Sequence, residues 1–187
     1  FNDYNIQNIN TKSFYFGEYP DDFLNDIDEV IVSPGLNKNH KIFSDIVSNK
    51  INIITDIDIF KRYCKSKIIS VTGTNGKTTV VTMLEHALNI IGYKAVACGN
   101  NGIPPLTILD NIYDYVILEL SSYQLEYMSD LKSFISMIIN IDYDHLDRHE
   151  NIENYSYVKL SIFNDSFFRL ATNSIKKLID DIKQIKF

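Results

Sequence analysis

One stretch constrains the chain more than any other: Ile68-Ile69-Ser70-Val71-Thr72-Gly73-Thr74-Asn75-Gly76-Lys77-Thr78-Thr79. Its β-branched apolar half reads as a buried strand, and residues 77–91 read as a helix stopped by Gly92, a residue suited to the left-handed position that follows a helix. A strand that hands over to a helix through a glycine-bearing loop is the first half of a βαβ unit. The sheet it enters is therefore expected to be largely parallel, with helices on its faces.

The rest of the chain repeats that pattern. Apolar runs at 30–33, 51–54, 95–98, 115–120 and 136–140 read as further strands. Helical spacing falls between them at 40–49, where Ile42, Phe43, Ile46 and Val47 recur, and at 57–64, preceded by Thr55 three residues before Asp58 in a capping-box arrangement. A further helical stretch is expected over 155–163. The fold class expected is α/β, a mostly parallel sheet, with a domain boundary in the polar and basic residues 63–67. In the tail, residues 175–187, Ile175, Leu178, Ile179 and Ile182 share one helical face, and a frayed surface helix is expected there.

Composition narrows the classes of function. At 187 residues and 45% apolar content the chain can bury a core, as one domain or one and a half. A net charge of −6, with both signs interspersed, argues against nucleic acid or an anionic membrane as partner, so any phosphate binding must be local. Cys64 and Cys98 have no CxxC spacing, which predicts neither disulfide nor zinc site and fits a reducing cytoplasm. The longest apolar stretch, 134–141, is too short to span a bilayer. The chain opens on Phe1 rather than Met, which leads us to expect a longer product.

The loop at 73–79 carries the chemistry. Gly73 and Gly76 let backbone N–H groups turn toward an anion, and the helix that follows offers its positive end to phosphates. Lys77 would bridge the β- and γ-phosphates of ATP, and the Thr78 hydroxyl would ligate Mg²⁺. The common P-loop pattern has glycine five residues before Gly76, where this chain has Val71, so an ordinary structural turn competes with the nucleotide reading. Ligands of open α/β sheets gather where strands end at their carboxyl side, so the polar residues there are the candidates for a site. Glu119 closes an apolar strand, where a carboxylate is costly unless it meets a cation or donors; a metal ion would satisfy it, and partial solvation is the alternative. His145, beside Asp144 and Asp147, reads as a metal ligand, a donor to substrate, or a solvated loop histidine. Lys159, taken alone, is expected to be a surface charge with a snorkelling stem.

Several ordered segments together resemble the Mur ligase family: GTNGKTT at 73–79, LELSSYQLE at 118–126, Asn140 with DHLDRH at 144–149, and, upstream, SPG at 33–35 and TDIDIF at 55–60. Within that family they look most like the branch that adds D-glutamate to UDP-N-acetylmuramoyl-L-alanine. The resemblance covers roughly residues 29–164. It implies that residues 1–66 are the later part of a UDP-binding Rossmann-like domain, and 67–187 part of the P-loop ATPase-like central domain. It implies ATP phosphates on Gly73, Thr74, Asn75, Gly76, Lys77, Thr78 and Thr79, and substrate near Asn100, Ser121 and His145. Metal ligation is implied for Thr78, Glu119, His145 and Lys159, the last carbamylated, and catalytic roles for Lys77, Glu119, His145 and Lys159. The activity implied is ATP-dependent amide ligation in peptidoglycan precursor synthesis in the cytoplasm, with the oligomeric state unread. Cys98 departs from the branch's GGNIG, leaving CGNNG, and the C-terminal domain that would bind the amino acid has no counterpart. Another Mur-type or folylpolyglutamate-type ligase, or a nucleotide-binding remnant without activity, remains compatible with the motifs.

Overall fold

The computed structural model describes residues 19–185 apart from 21, 101 and 130, so the first eighteen residues of the expected leading segment and the last two of the tail lie outside it. Strands β1 (Glu29–Ile31) and β2 (Asn52–Ile54) pair in parallel as a small sheet of their own, joined through helix α1 (Lys41–Ser48). The expected stripe on α1 is narrower than read: Phe43 and Ile46 are buried, but Val47 is 67% exposed. Helix α2 (Asp56–Tyr63) begins with the capping box anticipated from Thr55 and Asp58: each side chain meets the other's backbone N–H, which satisfies two donors the helix cannot reach itself.

Five strands form the larger sheet: β3 (Lys67–Thr72), β4 (Ala95–Gly99), β5 (Tyr115–Glu119), β6 (Ile135–Ile138) and β7 (Phe168–Ala171). All neighbours are parallel, in the order β4-β5-β3-β6-β7. The α/β expectation is met. After β3 the chain builds outward to β4 and returns to β5 on one side, then crosses to β6 and β7 on the other. The connections leaving β3 and β6 therefore diverge at the carboxyl end of β3, opening the crevice where ligands of such sheets bind. The strand-to-helix loop at 73–76 lies there.

Each face of the sheet has its own core. Helix α3 (Lys77–Ile90) packs Val81 over Ile69, Val71, Ala95 and Ile117. The opposite face joins Ile68, Val116, Leu118 and Ile138 to Ile57 and Phe60 of α2 and to Leu125 of helix α4 (Ser122–Tyr127). Burial on both faces explains why the central strands read as continuous apolar runs. Gly92, at φ +94°, follows the end of α3 as anticipated.

The remaining helices are α5 (Leu146–His149), α6 (Ile152–Leu160) and α7 (Asn173–Ile185). Helix α6 starts earlier than the expected 155–163, because the Asn151 side chain accepts the N–H of Asn154 as its cap; 161–163 is a separate 3₁₀ turn. The expectation of a frayed surface helix in the tail is corrected. Ile175 of α7 is 2% exposed and joins the core under β6, with Ile179 packed against it. Strand β7 was not anticipated, and each of its residues is exposed. Its register, Ile135 opposite Phe168 and Met137 opposite Leu170, comes from β6 rather than from burial of its own. Among the described residues no helix is long and apolar enough to cross a membrane.

Candidate functional site

Past Thr72 the chain turns through 73–76 into α3, and strand β6 shapes that turn. The Asn140 side-chain oxygen accepts the N–H groups of Thr74 and Asn75, both at 2.9 Å, while its amide donates to the Asn75 carbonyl at 3.0 Å. A Cβ on Gly73 would stand 3.2 Å from Ile139 Cβ, so the loop lies close against the chain leaving β6. Gly76 behaves oppositely. It has φ +80°, an added Cβ would meet nothing within 4 Å, and as N-cap of α3 it supplies no side-chain acceptor. The first-turn N–H groups of α3, which no helix satisfies internally, lie at the positive end of the dipole and receive no side-chain cap from Gly76. Thr78 and Thr79 stand on that turn, beside a groove of about 700 Å³ that runs on past Met83 and His86.

Two lysines converge on one carbonyl. Lys77 Nζ donates to Gly73 O at 2.9 Å and to Thr74 O at 3.0 Å. Lys159 Nζ donates to the same Gly73 O at 3.0 Å and to Thr72 Oγ1 at 3.3 Å. The expectation that Lys159 is a surface charge is overturned. It is 1% exposed, because the face of α6 that carries Tyr155, Ser156 and Lys159 packs inward. Burial, and then the charge of Lys77, push its pKa down to about 7, against a smaller opposing pull from Asp144. Near neutral pH a large share of Lys159 is thus the free amine. The Tyr155 ring lies 4.8 Å from the ammonium, and its hydroxyl is 3.1 Å from Thr74 Oγ1.

Glu119 ends β5 one strand away and is 1% exposed. Thr78 Oγ1 donates to one carboxylate oxygen at 3.0 Å, and Asn100 Nδ2 lies 3.3 Å from the other. Both partners are neutral, so the buried carboxyl group has hydrogen-bond partners but no countercharge from either. Gly99 makes this approach possible: at φ +117° it lies so close to β5 that a Cβ would stand 2.2 Å from Glu119 O. Cys98, the departure at this motif, is tolerated because its side chain turns into the core at 1% exposure, where burial pushes the thiol up to about 12. A carboxylate and a hydroxyl beside an uncapped helix end are hard oxygen donors, a set that suits Mg²⁺ shared with phosphate oxygens. Among the described residues no three His, Cys, Asp or Glu side chains converge, so a metal here would draw on few protein ligands.

The other predicted residues stand apart from Glu119. His145, at φ 51° and N-terminal to α5, has its ring nitrogens 3.4 Å from Tyr123 OH and from an Asp144 oxygen. Ser121 caps α4 in a reciprocal box with Gln124, which occupies its hydroxyl in a helix-starting role. Sequence reading undervalued Asn140, whose place at the end of a strand was the available signal. It missed the action of Tyr155 on the loop, for which no local pattern exists.

Comparison with known proteins bears on this geometry. The sequence profile of the Mur ligase middle domain matches residues 71–172. A UDP-N-acetylmuramoylalanine–D-glutamate ligase of Francisella philomiragia is 39% identical over 172 residues, which cover 87% of this chain and 42% of that protein. One from Francisella tularensis is 41% identical over 150 residues, 78% of this chain and 36% of its own length. The chain thus spans less than half the length of these curated relatives. Among solved structures, the UDP-N-acetylmuramate:L-alanyl-gamma-D-glutamyl-meso-diaminopimelate ligase of Neisseria meningitides superposes with a TM-score of 0.57 at 14% identity, over 84% of this chain and 55% of that one. The MurF ligase of Thermotoga maritima, in complex with ADP, gives 0.53 at 15% identity, over 88% and 47%. At these identities the structures speak to the fold alone.

Proposed function

The chain belongs to the Mur ligase family, and from that premise we propose that it carries the ATP site of a ligase that adds D-glutamate to UDP-N-acetylmuramoyl-L-alanine in peptidoglycan precursor synthesis. The observation that carries the reading is the uncapped start of α3 at the switch point of the sheet, with Lys77 and the Thr78–Glu119 pair beside it. The identity of 39–41% to D-glutamate ligases favours this branch over other amide ligases of similar fold. In the reaction proposed, the substrate carboxylate attacks the γ-phosphorus of ATP and ADP leaves. The D-glutamate amine then displaces phosphate from the acyl phosphate.

The chain's own residues would serve the first step. The N–H groups of the first turn of α3 and Lys77 would bind the phosphates and oppose the charge that builds on them, leaving the loop carbonyls that Lys77 now contacts. Thr78 and Glu119 would hold Mg²⁺, which as a Lewis acid withdraws charge from the phosphoryl oxygens. Asn100, Ser121 and His145 are proposed on the substrate side. Lys159, buried with a lowered pKa, is suited to react as an amine with CO₂; the carbamate formed, after loss of a proton, would supply an anionic oxygen donor. Residues 1–66 are proposed as the later part of the UDP-binding domain and 67–187 as part of the central one, in the cytoplasm where nucleotide-linked precursors are made.

Calorimetry with ATP and Mg²⁺ on the wild-type chain and on Lys77→Ala tests the reading. Loss of a charge-assisted contact of ~1.5–3 kcal/mol predicts a drop in affinity of roughly tenfold to 150-fold. Absence of binding by the wild-type chain would overturn it. Without the further length of its relatives, the purified chain is expected to incorporate no D-glutamate.

A further inference from the structure

Arg148, on the short helix α5, is a partly buried residue that neither the loop at 73–76 nor the proposed metal pair uses. Its side chain is 9% exposed, and it reaches away from the crevice. Nε donates to Glu126 Oε2 at 3.0 Å, and Nη2 lies 2.9 Å from the same oxygen. Nη2 also donates to Leu36 O at 2.8 Å and to Tyr127 OH at 2.8 Å. Tyr127 OH in turn donates to Leu36 O at 2.8 Å, while its ring stacks on Phe43 of α1 at 5.4 Å. Lys38 closes the group from the other side, 3.1 Å from Glu126 Oε1.

These contacts have a direction. Leu36 and Lys38 belong to the loop that leaves the small β1–β2 sheet; Arg148, Glu126 and Tyr127 belong to the large sheet's layer. Helix α4 spans the two. It starts three residues beyond Glu119, beside His149, whose Nε2 is 3.0 Å from Ser122 Oγ, and it ends at Tyr127 on the loop. A second tie lies just past its end, where Ser129 N donates to Asp58 of α2 at 3.0 Å. Thus α4 and α5 carry residues of the crevice at one end and hold the small sheet's loop at the other. Lysine could not replace Arg148 here, because only a planar fork reaches a carboxylate and a backbone carbonyl together.

We propose that Arg148 is a positioning residue: by clamping the Leu36 carbonyl and Glu126 it fixes the loop 33–38 relative to the His145 edge of the crevice, where the proposed function puts substrate. This rests on the proposed function for its substrate, and its test separates the two. Hydrogen exchange is followed at the amides of Leu36 and His40, which close turns onto Ser33 O and Asn37 O. In Arg148→Met these are expected to exchange about tenfold faster or more, whereas the amides of β3 and β5, and the affinity for ATP with Mg²⁺, stay within about twofold. Arg148→Lys should fall between. UDP-N-acetylmuramoyl-L-alanine should bind Arg148→Met at least about tenfold more weakly than wild type. Tyr127→Phe, which keeps the ring stack and loses only the hydroxyl, should loosen Leu36 in the same direction if Arg148→Met does not fold. Unchanged exchange at Leu36 overturns the clamp, and equal substrate binding by wild type and variant, or none by either, overturns its positioning role. Failure of ATP binding in wild type with exchange behaving as expected would count against the proposed function and leave the clamp standing.

Discussion

The phosphate loop and helix α6 each bring a lysine to the Gly73 carbonyl, and the two regions treat that charge in opposite ways. Lys77 sits at the edge of the crevice and rests on loop carbonyls, which it would leave for a phosphate under the proposed function. Lys159 is enclosed at 1% exposure between Tyr155 and the end of β3, and burial drives it toward the neutral amine. The charge of Lys77, on the same acceptor, adds to the cost of charging Lys159. The lesson is that residue type assigns no role here: the depth of the side chain separates the proposed phosphate ligand from the proposed site of carbamylation.

The largest expected effect breaks the comparison at Lys159. Its folded pKa of about 7 lies below the unfolded value of 10.5, so the unfolded chain binds more protons between these limits. Wild-type stability should therefore rise with pH through that window and carry its full penalty below pH 7. Relative to Lys159→Met, whose site does not titrate, wild type should gain on the order of 3–5 kcal/mol between pH 6 and pH 10. Denaturant titrations at both pH values check this, and a constant difference would mean that Lys159 is charged and solvated.

A smaller effect is expected at Tyr155→Phe, which keeps the ring over Lys159 and removes the hydroxyl near Thr74. The expected loss is ~0.5–1.5 kcal/mol of stability, with the amide of Thr74 exchanging faster. If the loop amides do not respond, the Tyr155 hydroxyl does not hold the loop. The smallest effect sharpens the comparison without breaking it. Removing the Lys77 charge should move the Lys159 pKa upward, since that charge is among the causes that lower it. NMR titration of the Lys159 side chain in Lys77→Ala would show the rise; no shift would mean the two ammonium groups do not sense each other through Gly73.

The strand-to-helix loop at 73–76 was legible because its pattern is local. Two glycines, a lysine and a hydroxyl follow one another in a strand-to-helix turn, and each keeps its anticipated place. Glu119 was half legible: a carboxylate after three apolar residues signals an unusual partner, but Thr78 lies 41 positions away and Asn100 19. Lys159 was misjudged from its surroundings in sequence, because Val158 and Leu160 give no sign of which face of α6 turns inward. The tail was misjudged for a related reason, since its apolar stripe is equally compatible with a solvated helix and a docked one. Only the space left under β6 decides.

What the sequence determined by itself is therefore periodicity and turn chemistry: parallel strands from continuous apolar runs, the Thr55 helix start, the glycine-bearing loop before α3. These depend on contacts within a few residues. The tertiary structure alone decided which strands are neighbours, and with that the site. The order β4-β5-β3-β6-β7 sets Glu119 beside the Thr78 hydroxyl and Asn140 against the loop, and it sinks Lys159 beneath Gly73. Burial and charge act through space, and no spacing along the chain encodes a desolvation penalty.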